Sequence, residues 1–90
     1  MPVIRMPNPL RPYVGGLAEV RVSGKTAGEA MEDLAVQFPE LRQHLFKQDG
    51  SLRAFVNLFV EGRNIRDLAG LETPLETDTV FSLVPAIAGG

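Results

Sequence analysis

The sequence predicts an α+β domain, a mixed and mostly antiparallel sheet of four to five strands with one main helix packed on one face. Three observations predict it. Residues 27–38 carry the one long helical periodicity; residues 17–22, 53–60 and 79–84 alternate apolar and other side chains; and strands and helices do not follow one another one for one. That last point excludes a doubly wound parallel sheet, which needs a helix between successive strands. Ninety residues are also too few for two interiors, so all elements must share one.

Taken in order, residues 3–6 form a short apolar run stopped by Pro7, Pro9 and Pro12. Proline cannot donate to a ladder, so the segment carrying these three prolines is expected as loop or strand edge. Gly15-Gly16 supplies a turn, and residues 17–22 follow with Ala18, Val20 and Val22 alternating against Leu17, Glu19 and Arg21. The two runs are expected to pair as a hairpin. Thr26-Ala27-Gly28-Glu29 has capping-box spacing, in which Thr26 accepts from the Glu29 amide and the Glu29 carboxylate reaches back to the Thr26 amide. Met31, Leu34, Ala35 and Phe38 then mark one face of a helix of about three turns, ended by Pro39. Leu41, Leu45 and Phe46 suggest a further short turn returning to the core.

After the Asp49-Gly50 turn, residues 53–60 are the strongest strand, with Ala54, Val56, Leu58 and Val60 on one face and Arg53, Phe55, Asn57 and Phe59 on the other. Residues 61–64 turn, and Ile65 is expected to add a brief strand. Leu68, Leu71 and Leu75 are expected to anchor the irregular stretch that follows. In the final strand, residues 79–84, Phe81 and Leu83 alternate with Val80, Ser82 and Val84. With the first and last strands side by side and parallel at the centre, this order is the β-grasp, or ubiquitin-like, arrangement. Residues 1–84 are expected as that domain, with 85–90 as a flexible, projecting C-terminal Gly-Gly tail.

Composition removes most chemistries. The nine Lys and Arg against eleven Asp and Glu give a net charge of −2, so nucleic acid is a poor partner. Without Cys and with only His44, the chain lacks a thiol nucleophile, a disulfide and a Cys or His metal cluster, and no metal site is expected. His44 is expected as a solvated surface residue and Met31 as core. Glu29, Glu32 and Asp33 are expected on the solvated first turns of the helix, where negative charge suits its dipole. Gly24 and Gly28 are not spaced as a phosphate loop, and Arg5, Arg11 and Arg21 could cluster without making a nucleic-acid stripe. No stretch approaches the roughly 18 apolar residues of a membrane span, so a cytoplasmic protein is expected.

The chemistry-bearing stretch is Pro85-Ala86-Ile87-Ala88-Gly89-Gly90, six residues without a charge or a polar side chain. Pro85 should stop the sheet, and at about 3.3 Å per extended residue the tail would reach about 20 Å, into a partner's active site. Gly89 and Gly90 lack a Cβ, so a narrow channel could close around their backbone. The reacting group would be the Gly90 carboxylate, a poor electrophile that a partner must first activate, most economically as an acyl-adenylate made with ATP. A sulfur donor could then displace AMP to leave a thiocarboxylate, or an amine could displace it to form a conjugate. The chain itself would be substrate and carrier, not enzyme, and bind no cofactor. The competing reading is an ordinary frayed end. Two chance terminal glycines arise about once in a hundred chains of this composition.

The chain resembles the MoaD and ThiS sulfur-carrier family, and most of all its CysO-like members that feed a cysteine synthase. The resemblance rests on Leu10-Arg11-Pro12 with Gly15-Gly16, Phe55-Val56-Asn57 with Ile65-Arg66, Gly70-Leu71, and the stretch from Pro85 to Gly90. It departs at Glu61-Gly62-Arg63, where relatives often carry Asn with Gly or Asp. The resemblance implies adenylation of Gly90 by a ubiquitin-activating-type enzyme, thiocarboxylation there, and sulfur delivery to an acceptor enzyme, a cysteine synthase-like one being favoured. Molybdopterin, thiamine thiazole, thiosugar or tRNA thiolation remain alternatives. So do a protein modifier joined to lysines by isopeptide bonds and a plain binding module. No trimming is expected before activation. A partner-docking surface is expected from the outward residues Phe59, Val84, Ser82 and Phe55, near the root of the tail.

Overall fold

The computed structural model describes residues 1–54 and 56–85. Five strands form one sheet: β1 (Val3–Arg5), β2 (Glu19–Arg21), β3 (Val56–Val60), β4 (Arg63–Asn64) and β5 (Val80–Pro85), in the order β2-β1-β5-β3-β4. β1 and β5 run parallel at the centre, with Ile4 beside Phe81, and the other pairings are antiparallel. The expected β-grasp architecture is therefore present. Helix α1 (Ala27–Gln37) lies on one face, followed by a 3-10 turn at Pro39–Leu41 and the short helix α2 (Arg42–Leu45).

The sequence pattern explains which face is dry. Ile4, Val20, Val56, Leu58, Phe81 and Leu83 point inward from four strands and are buried, as are Ala27, Ala30, Met31, Leu34 and Ala35 of α1. Phe38 caps that helix, half-buried against the core, and Leu41, Leu45 and Phe46 return to it as expected. The N-terminus of α1 is built by its own side chains. The Glu29 amide donates to Thr26 Oγ1 at 3.2 Å, as the spacing predicts. The Glu29 carboxylate, however, accepts from the amide of Lys25, not Thr26, at 2.9 Å. The cap therefore fixes the incoming loop one residue earlier than a reciprocal box would.

Several other expectations need correction. Residues 8–14 are a 3-10 helix, not a strand edge. Proline's fixed φ suits such turns, and Gly15 closes the segment with φ of 68°. Ala54 is exposed and precedes β3, because the Val56 amide turns back to the Arg53 carbonyl at 3.0 Å and delays the strand. The brief extra strand is Arg63–Asn64, and Ile65 instead opens a 3-10 turn and is buried. Leu71 and Leu75 do pack against the core, but Leu68 is 39% exposed. Pro85, expected outside the sheet, is the last residue of β5 and pairs with Val56.

Glu29 and Glu32 are exposed, whereas Asp33 is half-buried, accepting from the Ser23 amide and Gln37 Nε2. Gly24 and Gly28 serve packing. A Cβ on Gly28 would meet the Leu71 carbonyl oxygen at 3.0 Å, and one on Gly24 would meet the Ala30 amide nitrogen at 2.6 Å and the Glu29 carbonyl carbon at 2.9 Å. These obstacles are backbone atoms and cannot rotate away. Gly24→Ala is accordingly expected to cost about 1–3 kcal/mol in urea denaturation. An unchanged midpoint would show that this loop is free to shift.

Candidate functional site

The sheet face opposite α1 carries the candidate docking residues. β5 supplies Val80, Ser82 and Val84 to it at every second position, as a strand must. Phe59 of β3 stands directly across from Ser82, and Asn57 across from Val84. On the other side of β5, Val3 stands beside Val80 and Arg5 beside Ser82. Ser82, a small side chain, is thus framed by Val80 and Val84 along its strand and by Phe59 and Arg5 across it. Val80 is 46% exposed and Val84 43%, while Phe59 and Ser82 are half-buried. The structure thereby brings together three of the four predicted docking residues. Phe55, the fourth, lies outside the described residues.

Charge borders this apolar surface without entering its centre. Arg5 pairs with Glu19 at 3.5 Å, both side chains being more than half exposed, so the contact is worth little in stability. Arg5 and Arg11 flank a shallow concavity with Leu17 and Glu19, but Arg21 does not line it. The Arg11 Nε–H donates to the Met6 carbonyl at 3.2 Å. Three arginines therefore do not converge on one anion.

At the end of the face nearest Pro85 is a polar cluster that sequence reasoning did not single out as a site. Arg66 Nη2 donates to the carbonyls of Arg53 (3.0 Å) and Val56 (2.8 Å), and its Nε donates to Asn57 Oδ1 (3.3 Å). Asn64 Nδ2 donates to the same Asn57 oxygen at 3.2 Å. Val80 was also missed as a docking residue. Its signal was present, since it shares the period of Ser82 and Val84.

Elsewhere the described residues hold little chemistry. No group of three or more His, Cys, Asp or Glu side chains among them could hold a metal ion. His44, expected as solvated, is half-buried, its ring packed on Tyr13 with centroids 4.5 Å apart. An open groove is lined by Pro39, Arg42, Phe46, Lys47 and Arg53, on elements away from the predicted docking residues Phe59, Ser82 and Val84. No helix among the described residues is long and apolar enough to cross a membrane. The tail residues Ala86, Ile87, Ala88, Gly89 and Gly90 lie outside the described residues, and Pro85 alone of the predicted tail is placed.

The departure noted at Glu61-Gly62-Arg63 falls on the turn that joins β3 to β4. Glu61 and Gly62 have φ of 52° and 81°, the paired left-handed geometry that joins two strands through two residues. Asn or Gly takes the first of these positions with less strain than Glu.

Comparison with known proteins agrees with this geometry. Residues 4–90 match the ThiS family. The chain is 33% identical over 89 residues to the sulfur carrier protein CysO of Mycobacterium tuberculosis, covering 97% of this chain and 96% of that protein. It is 31% identical over 65 residues to small archaeal modifier protein 3 of Haloferax volcanii, covering 72% of this chain and 70% of the other. Among solved structures, a chain of the Amycolatopsis orientalis BexX/CysO complex superposes with a TM-score of 0.89 at 28% identity, each chain being covered in full. The sheet order, the placed helix and these similarities converge: the chain belongs to the ThiS family of ubiquitin-like sulfur carriers.

Proposed function

We propose that this protein carries sulfur as a thiocarboxylate on Gly90 and acts as a co-substrate of other enzymes rather than as an enzyme. The observation that carries the reading is the position of β5. This central strand ends at Pro85, leads into the Gly-Gly stretch, and presents Val80 and Val84 beside Phe59 on the face away from the helix. One surface thus offers a dock close to the origin of the reactive segment. In the first step a ubiquitin-activating-type partner joins the Gly90 carboxylate to the α-phosphate of ATP, releasing pyrophosphate. A sulfide-level donor then attacks the acyl carbon and AMP leaves, so that one carboxyl oxygen departs with AMP and sulfur takes its place. ATP belongs to the partner, and this chain supplies neither metal nor general base.

The favoured acceptor is a cysteine synthase-like enzyme, supported by the similarity to CysO. The BexX/CysO complex, in which a similar chain is bound to another protein, supports a carrier that works by docking to a partner. The relative named as a small archaeal modifier favours one second reading, attack on the adenylate by a lysine amine to give an isopeptide conjugate.

Intact-mass analysis after incubation with an adenylating partner, ATP and sulfide tests the proposal. Exchange of one oxygen for sulfur is expected, and an unchanged mass would overturn it. Phe59→Asp is expected to weaken docking to that partner at least about tenfold, because a carboxylate would be desolvated at an apolar contact. Its urea midpoint should remain near the parent's, since Phe59 faces away from the core. Loss of fold would instead make Phe59 a core residue.

A further inference from the structure

We propose that Arg66 is a positioning residue, holding the root of the C-terminal tail by standing in for a strand that the sheet lacks. The inference deepens the carrier reading and rests on it for its catalytic consequence. β4 pairs with β3 only at Phe59 and Val60. The other end of β3, Val56 and Asn57, pairs with Pro85 and Val84 of β5 and, among the described residues, has no strand on its far side. On the opposite side of β5, toward which the Pro85 nitrogen is turned, β1 pairs only as far as Arg5 beside Ser82, and Pro85 has no N–H to donate. Both margins of the sheet are thus weak at the place where the chain turns into the tail.

Arg66 fills that margin. Its Nη2 donates to the Val56 and Arg53 carbonyls and its Nε to Asn57 Oδ1, so one guanidinium grips backbone and side chain at the start of β3. The aim of the side chain is itself fixed. Asn64 Oδ1 accepts from the Arg66 amide at 2.9 Å, capping the 3-10 turn Ile65–Asp67, and Asn64 Nδ2 joins Arg66 on the Asn57 oxygen. A planar fork with five donors can span these acceptors, whereas a Lys ammonium is a point charge and cannot hold the same set. The side chains of Phe59, Ser82 and Val84 take no part in these hydrogen bonds. Arg66 should therefore govern where the tail starts from, not how tightly the sheet face binds.

The test uses the full chain with Arg66→Ala, and with Arg66→Gln as a milder second variant. Amide hydrogen exchange at Asn57 and Val84 is expected to quicken about tenfold or more, with Ile4 and Val20 protected as in the parent. With a ubiquitin-activating-type adenylating enzyme, kcat is expected to fall about tenfold while KM for the carrier stays within about twofold. Unchanged exchange at Asn57 and Val84 would overturn the proposal. So would a rise in KM with kcat intact, or loss of protection at Ile4 and Val20 in both variants, which would make Arg66 a support of the whole fold. If the parent itself were not adenylated, the carrier reading would fall, and the exchange measurement would still decide whether Arg66 anchors the strand end.

Discussion

A variant lacking Gly89 and Gly90, and one extended by a leucine after Gly90, are both expected to melt like the parent and to take up no sulfur. Shortening by two residues withdraws the carboxyl by about 7 Å of extended chain. Reacting atoms must approach to about 3–3.5 Å, and a misplacement of even about 1 Å can cost on the order of a hundredfold. The added leucine acts differently. It moves the carboxylate onto a residue with a branched side chain, which a channel fitted to two Cβ-free residues cannot admit. Loading below one thousandth of the parent rate is therefore expected for each variant by intact mass. The outer sheet face is untouched, so both should still compete with the parent for the adenylating partner. A plain binding module would instead keep its partner function in the shortened form.

Phe81→Ala is expected to give the largest loss of stability. Phe81 is 1% exposed in the central strand, with Ile4 beside it in β1 and Val60 beside it in β3. Truncation removes its burial and leaves a cavity that the two flanking strands cannot close, at a cost of about 3–5 kcal/mol. A domain of this size has about 5–15 kcal/mol to lose, and each kcal/mol lowers its melting temperature by about 4–8 °C. A fall of at least about 12 °C is expected. Val80→Ala, one residue earlier in β5 but on the outer face, should change stability by only about 0.5 kcal/mol. Similar losses for both, by urea denaturation, would contradict the assignment of the two faces.

The comparison of Phe81 with Val80 also shows what was legible in the sequence. Period-2 alternation in residues 79–84 sorts the two faces of β5 without any tertiary information, and 3.6-residue periodicity does the same for α1. Both signals are local, repeated over many residues, and reinforced by Thr26 and Pro39 at the helix boundaries. Errors fell where one residue had to decide. Ala54 fits the alternation of β3, but the Val56 amide is committed to Arg53 and the strand begins later. Leu68 is apolar, yet it stays 39% exposed. Residues 8–14 carry no periodic signal, and their prolines suit a 3-10 turn as well as a loop.

The docking half of the candidate site was readable for the same reason as the core, because outward and inward residues alternate. Arg66 was not. Its acceptors lie 9, 10 and 13 residues away in the chain, on Asn57, Val56 and Arg53, and no local pattern announces that meeting. It depends on the two-residue length of β4 and on the turn capped by Asn64, which bring Arg66 back along β3. A long-range polar contact of this kind becomes visible only once the strands are in register.

The position of the transferred sulfur tests the central claim most directly. After loading by an adenylating enzyme with ATP and sulfide, the C-terminal peptide should be isolated and fragmented in a mass spectrometer. The account predicts a single sulfur-for-oxygen exchange confined to the terminal fragment that contains Gly90. Sulfur on any other residue, or a loaded protein whose C-terminal peptide is unmodified, would contradict it.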